Sequence, residues 1–407
     1  MHTEVWNDTC AADDFDHRDT HHNFDTELLD MGALTAAVNA VAGQSDELTF
    51  ARIRALMTGY DQHWGTNGMK VESLEEGFTV PLMNPNTLHS SRTWEVAGKR
   101  DGIVRIGNRR LLLEHKTCSE SISEPEDTYW SHLAIDTQVS TYVLAAWLEG
   151  EKLDGTLYDV TRKLITKPKD ITKGSDKGDP KPGTCAEIIR AGTYFGFECL
   201  PSERQQIASG QRKESYSLYE KRITADILAR PAYYFQRREV PRLDQELLDH
   251  SQELWDIGKD MKEARRLNRH YKNDDACLAF GRPCGFLGIC SGHDTTDSDN
   301  WVLRDGVHDE LDHLENNGRD TLTNSRMKCF KRCRRQHFYR YELGIERVQE
   351  EESYPLYFGR LWHIALEVWF SFMREDKNGN CDSGAARSDE TEHERSEAPI
   401  EDGAARC

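Results

Sequence analysis

A pair of alternating runs around Gly107-Asn108 constrains the fold of this 407-residue chain more than any other sequence feature. The runs span residues 93–106 and 109–117, and two strand-like runs joined by two such turn residues are a strong β-hairpin signal. A two-residue turn also fixes the register, because Ile106 must then lie opposite Arg109. We therefore predict an antiparallel β-hairpin.

This register places Asp101 directly opposite Glu114. Directly opposed side chains have Cβ atoms about 4.5–5.5 Å apart, so the two carboxylates would repel each other unless a cation lay between them. Lys116 is two residues beyond Glu114 and shares its face, whereas His115 points to the other face. Oxygen ligands, a divalent ion and an ammonium suit phosphodiester hydrolysis, although a solvated hairpin face with a surface lysine would give the same pattern.

The remaining pattern indicates a mixed α/β fold. Apolar residues at helical spacing predict two helices within 34–64 and one helix over 131–148. A strand is expected over 155–164, followed by a loop of Lys, Pro and Gly over 166–183. The region 204–271 is expected to be largely helical. The order helix, strands, helix, strand favours a sheet with helices packed on it.

Charge and cysteine content narrow the class of protein. The chain has 71 acidic and 52 basic side chains and a net charge of −19, which weighs against a wholly basic nucleic-acid-binding surface but does not exclude a local basic groove. No run of about 18 apolar residues is present. We expect no membrane segment or signal peptide and a cytoplasmic location, which is the host cytoplasm if a phage encodes the chain. Its 11 cysteines then argue against a disulfide framework, which leaves free thiols and metal binding as their expected states.

The hairpin motifs resemble those of a known family. Gly98-Lys99-Arg100-Asp101-Gly102 and Leu111-Leu112-Leu113-Glu114-His115-Lys116-Thr117 resemble motifs II and III of the PD-(D/E)XK nuclease superfamily, in its RecB/AddB-like branch. The resemblance implies a restriction-endonuclease-like core: a mixed sheet flanked by helices, with additional helices and an iron–sulfur staple. It also implies that the Asp, the Glu and the carbonyl of the residue between Glu and Lys bind the catalytic metal, and that the Lys is catalytic.

Two further motifs resemble the same branch. Gln138 and Tyr142 match its QxxxY element, and they share a helix face at i,i+4. Cys277, Cys284 and Cys290 look like its cysteine group, which binds a four-iron, four-sulfur cluster. Three closely spaced thiolates suit a soft metal, but zinc and free thiols also fit this spacing.

Two other motifs of the family, its opening block and its motif I helix, have counterparts late in this chain. Residues 323–341 resemble the opening block of the branch, whose cysteine, here Cys333, supplies the fourth cluster ligand, with Cys329 as a substitute. Residues 358–367 resemble its motif I helix, in which His363 would be a metal ligand. A circular permutation, a truncated tandem copy and a rejoined gene all fit this order. We expect one composite domain in which His363 joins the carboxylates of the hairpin.

These features predict five segments. They are a disordered acidic segment over 1–30, a nuclease core with the cysteine triad over 31–290, a linker over 291–320, a motif I block over 321–374 and a disordered acidic tail over 375–407.

The resemblance implies a Mg²⁺- or Mn²⁺-dependent DNA exonuclease of recombination, repair or phage DNA metabolism, with DNA as substrate and a helicase or recombination protein as partner. The alternatives are an inactive DNA-binding module, a site-specific endonuclease and a zinc-stabilised interaction protein. The arginine and lysine pairs at 109–110, 331–332 and 334–335 are candidates for phosphate contacts.

Overall fold

The structure is a computed structural model. It describes residues 32–65, 68–279, 282–304, 311, 318–348 and 353–375. The expected disordered segments over 1–30 and 375–407 lie outside these residues, except that Glu375 ends the last helix. Within the described ranges, no helix is both long and apolar enough to span a bilayer.

The helices of the described residues follow in chain order. They are α1 (Ala33–Ala42), α2 (Glu47–Trp64), α3 (Thr128–Ala134), α4 (Thr137–Leu148), α5 (Pro201–Ala208), α6 (Tyr216–Ala229), α7 (Pro231–Tyr234), α8 (Asp244–Leu267), α9 (Leu287–Ser291), α10 (Asn324–Arg332), α11 (Arg334–His337) and α12 (Tyr354–Glu375). Short π-helical turns span Glu187–Ala191 and Phe338–Glu342, and a 3₁₀ turn spans Asp274–Ala276.

The strands are numbered in the same way. They are β1 (Lys70–Met83), β2 (Ser90–Ile106), β3 (Arg109–Cys118), β4 (Gly155–Arg162), β5 (Thr193–Tyr194), β6 (Phe197–Glu198), β7 (Phe235–Val240), β8 (Leu278–Ala279), β9 (Arg282–Pro283), β10 (Trp301–Leu303), β11 (Asp320–Leu322) and β12 (Ile345–Arg347).

A six-stranded central sheet organises the molecule. Its main path is β1-β2-β3-β4-β7, and β11 pairs with β2 outside this path. The β3–β4 and β11–β2 pairs are parallel, and the others are antiparallel. The sheet is thus mostly antiparallel with helices on its faces, which confirms the predicted mixed α/β class and is consistent with a PD-(D/E)XK-like fold.

The hairpin of β2 and β3 has the predicted register. Ile106 pairs with Arg109 and Gly102 pairs with Leu113. Gly107 has a φ of +60°, a conformation that glycine adopts without a Cβ penalty. The ladder ends one step before Asp101 and Glu114, so these two acids stand where the strands begin to separate.

Alternation along β3 assigns its side chains to two cores. Leu111 and Leu113 pack on one face of the sheet with α1, α2 and α12. Leu112 packs on the other face with α4 and α8. The predicted helix over 131–148 is instead two helices, because the Asp136 side chain caps α4 by accepting from the Gln138 N–H at 3.0 Å. The strand β7 within 204–271 was missed.

The chain after residue 318 returns to the central sheet. In β11, Leu322 pairs with Val96 of β2, and α12 packs against α1 and β1. The segment expected to be a linker, 291–320, contains β10, which pairs with β12. Late elements of the sequence therefore complete the core formed by early ones.

Candidate active site

One cavity of about 200 Å³ gathers most of the residues singled out from the sequence. It opens beside the point where β2 and β3 separate, and α4, α10 and α12 contribute to its walls. Its lining includes Asp101, Glu114, His115, Lys116, Gln138, Tyr142 and His363. The structure thus brings the late residue His363 to the same cavity as the hairpin carboxylates.

The two carboxylates lie in different hydrogen-bonding environments. Oδ2 of Asp101 accepts from the His115 backbone N–H at 2.7 Å, which fixes the acid against the neighbouring strand. Oε1 of Glu114 lies 2.9 Å from Nζ of Lys116. Oε2 of Glu114 is buried and accepts no hydrogen bond from any described residue. A buried carboxylate oxygen without a partner is unfavourable, so this atom is available to an additional ligand.

The ionisation of both acids is strongly perturbed. Burial, with the nearby charge of Glu75, raises the pKa of Asp101 to about 7. Burial also raises the pKa of Glu114 to about 8. The charge of Asp101 adds to this effect, and the charge of Lys116 opposes it without cancelling it. Two adjacent carboxylates out of water repel each other. A bound cation would relieve that repulsion, and hard carboxylate oxygens are the ligands that Mg²⁺ and Mn²⁺ prefer.

The side chains at the cavity do not by themselves form a complete set of metal ligands. Within the part of the chain that the structure describes, no three His, Cys, Asp or Glu side chains form a group that could hold a metal ion. His363 lies on α12 with its ring centroid 6.0 Å from that of His115. The donor chemistry of Asp101 and Glu114 fits a hard divalent ion, and His363 stands on the same cavity wall without completing a three-side-chain group.

Lys116 is held by a short chain of hydrogen bonds. Its ammonium donates to Oε1 of Gln138 at 2.7 Å, and Nε2 of Gln138 donates to the hydroxyl of Tyr142 at 2.9 Å. Gln138 and Tyr142 are one turn apart on α4, so the helix fixes both. The QxxxY pair therefore orients the lysine amine beside Glu114.

The charged residues Glu75, Lys99 and Asp136 also line the cavity, and none of them was predicted as a site residue. Glu75 on β1 has a φ of +51° and forms a 2.6 Å ion pair with Lys99. Asp136 lies 3.7 Å from Lys116. Burial acts to raise the pKa of Asp136, but the positive charges of Lys116 and Lys328 outweigh it and lower that pKa. Two sequence features could have identified Lys99 and Asp136. Lys99 is two residues before Asp101 and so shares its strand face, and Asp136 occupies a helix-capping position.

A buried polar cluster supports the hairpin from behind. Nδ1 of His115 lies 3.1 Å from Asp159, its register partner on β4. Asp159 also accepts a hydrogen bond from Tyr60 and lies 3.3 Å from Nε of Arg237. Burial acts to raise the pKa of Asp159, but Arg237 and His115 outweigh it and lower that pKa. The side chain of His115 is thereby fixed while its backbone N–H holds Asp101.

The four cysteines of the predicted cluster lie together in a second place. Cys277, Cys284, Cys290 and Cys333 line one cavity of about 10 Å³. Burial and neighbouring sulfurs raise the pKa of Cys284 and of Cys290. Four thiols form the donor set of a soft metal site, but this space holds about one water molecule. Among the described residues, no three His, Cys, Asp or Glu side chains form a group that could hold a metal ion, so the iron–sulfur cluster stays a prediction.

The arginine pairs expected to contact phosphate are mostly engaged within the protein. Arg109 pairs with Glu239 at 2.6 Å, and Arg110 pairs with Glu72 at 2.6 Å. Arg334 pairs with Asp260 at 2.8 Å. Arg332 and Arg335 donate to the backbone carbonyls of Ala276 and His270. None of these arginines is among the residues that line the cavity.

Comparison with known proteins agrees with the family resemblance in the late part of the chain. Residues 321–405 match the model of the PD-(D/E)XK nuclease superfamily. This range contains Cys333 and His363 but not the β2–β3 hairpin. No curated protein and no solved structure matches the chain significantly. Members of this superfamily are generally nucleases, so the match suggests nuclease activity, and it names neither the RecB/AddB-like branch nor an iron–sulfur cluster.

Proposed function

We propose that this protein is a divalent-metal-dependent deoxyribonuclease that hydrolyses phosphodiester bonds at the cavity between β2, β3 and α12. The observation that carries this proposal is the pair of buried carboxylates, Asp101 and Glu114, with an oxygen of Glu114 lacking a described partner and an amine beside it. The superfamily match over 321–405 supports the same class of reaction.

Seven of the residues that line the cavity have a role in this proposal. Asp101, Glu114, the carbonyl of His115 and His363 would hold Mg²⁺ or Mn²⁺. A bound divalent ion lowers the pKa of water and offsets charge on the phosphate. Lys116, oriented by Gln138, positions the attacking water through its ammonium. Tyr142 holds Gln138 in place and so acts on the reaction through Lys116.

We further propose that the enzyme is an exonuclease of the RecB-like type that acts in DNA recombination, repair or phage DNA metabolism, with a helicase or recombination protein as partner. Linear DNA should be degraded from its ends, and circular single- or double-stranded DNA should remain intact. Cleavage of circles would instead identify an endonuclease of the same fold.

An assay on end-labelled linear DNA tests the activity. We expect degradation with Mg²⁺ or Mn²⁺ and none with chelator. Glu114→Ala and Lys116→Ala should each lower the rate at least about 100-fold, because metal binding and water positioning contribute factors of this size. Asp249→Asn, an exposed acid on α8, is the control and should retain full activity. A wild-type protein that binds DNA but does not degrade it would be an inactive binding module.

The cysteine cavity carries a separate proposal. We propose that Cys277, Cys284, Cys290 and Cys333 together bind a metal group that joins the late block to the residues before it, with a four-iron, four-sulfur cluster preferred and zinc as the alternative. Anaerobically purified protein should then contain iron and absorb near 400 nm. Zinc without iron identifies the alternative, and protein free of both metals contradicts the proposal.

A further inference from the structure

A lysine-rich segment begins at the wall of the active-site cavity and runs away from it. This segment, residues 163–181, is called the basic loop here. It contains six lysines and three aspartates in a chain whose net charge is −19. The lysines are Lys163, Lys167, Lys169, Lys173, Lys177 and Lys181. Lys163 lines the cavity, and the other five are exposed.

The start of the basic loop is fixed at the rim of the cavity. The guanidinium of Arg52 donates to the carbonyl of Thr166 at 2.7 Å and also hydrogen-bonds the hydroxyl of Tyr354. The next two residues of α12, Pro355 and Leu356, line the cavity. One arginine therefore ties the basic loop to the helix that forms the cavity wall.

The basic loop has a defined backbone rather than a free one. The backbone N–H of Lys169 donates to Glu214 at 2.9 Å, and that of Ile171 donates to the carbonyl of Arg212 at 2.6 Å. Ile171 is buried in a small apolar cluster with Cys185 and Tyr194. The lysines are thus presented from an anchored segment, which reduces the ordering cost of binding a ligand.

The charges of the basic loop are largely uncompensated. Among the described residues, Lys167, Lys169, Lys177 and Lys181 have no carboxylate within 4.0 Å, and Lys173 reaches Asp176 only at 3.9 Å. The arginines at the hairpin turn, by contrast, are paired with glutamates at 2.6 Å. Exposed cations without a close carboxylate partner are available to an external polyanion.

The cavity is too small to hold more than a short part of a nucleic acid. Its volume of about 200 Å³ is below the range of about 300–1,000 Å³ that is usual for sites enclosing a small molecule. A DNA strand whose phosphate reached Asp101 and Glu114 would therefore continue outside the cavity. The basic loop is a charged surface that begins at the rim.

We propose that the basic loop is the binding surface for the sugar-phosphate backbone of the DNA strand flanking the scissile phosphate. This inference rests on the proposed nuclease function and specifies where its substrate extends. Lysines contact phosphates without reading bases, so the surface is independent of sequence. Strands too short to leave the cavity gain nothing from it.

The test compares two variants with the same change in net charge. The loop variant carries Lys167→Gln, Lys173→Gln, Lys177→Gln and Lys181→Gln, and the control variant carries Lys70→Gln, Lys152→Gln, Lys259→Gln and Lys262→Gln, which are exposed lysines elsewhere. Binding of a fluorescein-labelled 20-nucleotide single strand is measured without divalent ions at several salt concentrations, and cleavage of the same strand and of a trinucleotide is measured with Mg²⁺.

We expect the loop variant to bind the 20-nucleotide strand at least tenfold more weakly than the control variant near 0.1 M salt. Its slope of log affinity against log salt should be smaller by about 2 to 3, because each lost phosphate contact removes about 0.7 from the slope for single strands. Its KM for the 20-nucleotide strand should rise with kcat unchanged, and trinucleotide cleavage should match the control.

Each result separates the two proposals. Equal binding by the loop and control variants overturns the role of the basic loop and leaves the nuclease proposal standing if cleavage persists. Selective loss of binding in a protein that never cleaves DNA supports the basic loop and contradicts the nuclease proposal. No binding of DNA by the wild-type chain overturns both.

Discussion

Asp101 and Glu114 are two acids whose ionisation is strongly disfavoured by the fold. Both would be ionised at neutral pH in an unfolded chain, yet burial raises the pKa of Asp101 to about 7 and that of Glu114 to about 8. Burying two carboxylates is energetically unfavourable, and both lie at the same cavity beside β2 and β3. Such perturbed acids in a cavity are typical of functional sites.

The pKa of Glu114 has a consequence for stability in metal-free protein. The folded pKa lies above the unfolded value of 4.5, so between about pH 4.5 and pH 8 the folded state binds more protons than the unfolded state. The contribution of Glu114 to stability therefore falls as pH rises through this range. Below pH 4.5 the acid is neutral in both states and carries no such penalty.

Glu114→Gln removes this ionisation. With chelator present, the melting temperature of Glu114→Gln relative to wild type should rise by at least about 2 °C between pH 5 and pH 8.5. Thermal unfolding followed by circular dichroism measures the difference, with Asp249→Asn as a control that should show no such trend. A difference that stays constant between the two pH values would contradict the raised pKa of Glu114.

At the scale of elements, the β2–β3 hairpin was predictable because a two-residue turn and side-chain alternation are local properties. Its register from Ile106–Arg109 to Gly102–Leu113 follows from the turn alone. The break between α3 and α4 was not inferred, although Asp136 is a capping residue, because apolar periodicity continues across it. The strand β7 was missed because its pairing with β4 depends on distant sequence.

The candidate site was predictable to the extent that motifs carry it. Asp101, Glu114 and Lys116 follow from the hairpin register, and the resemblance added Gln138, Tyr142 and His363. Glu75 was not predictable. It lies at the cavity because β1 pairs with β2 and because its own backbone is left-handed, and no local sequence pattern indicates either feature. The space around the cysteines was not predictable either, because it depends on tertiary packing.

Gly98 links strand β2 to the orientation of Lys116. A Cβ at this position would lie 2.9 Å from Cζ of Phe78 and 2.9 Å from Cε1 of Tyr142. Both atoms belong to rigid rings, so Gly98→Ala should displace Tyr142 and, through it, Gln138.

We expect Gly98→Ala to lower kcat about tenfold and stability by about 1–3 kcal/mol, as overpacked cores do. Steady-state DNA degradation and urea unfolding measure the two effects. Gly43→Ala, where a Cβ would meet no atom within 4 Å, serves as the matched control. Unchanged kcat in Gly98→Ala would show that Tyr142 does not act on the reaction by positioning Lys116.

At the scale of the whole molecule, the cavity is assembled from segments that are far apart in the chain. The hairpin supplies Asp101 and Glu114, and α12 supplies His363 more than 240 residues later. β11 pairs with β2, and α12 packs against α1 and β1, so the late block is part of the same core. The superfamily match covers residues 321–405, which include α12 but not the hairpin.

Calorimetric titration of Mn²⁺ into the full chain tests the central claim most directly, with Asp101→Asn, His363→Ala and the control Asp249→Asn in parallel. We expect saturable binding by the wild type and the control, near-complete loss of that binding in Asp101→Asn and at least about tenfold weaker binding in His363→Ala. Two results would contradict a metal site formed by these two parts of the chain. One is that Asp101→Asn and His363→Ala bind Mn²⁺ as well as the wild type does, and the other is that the wild type shows no saturable binding.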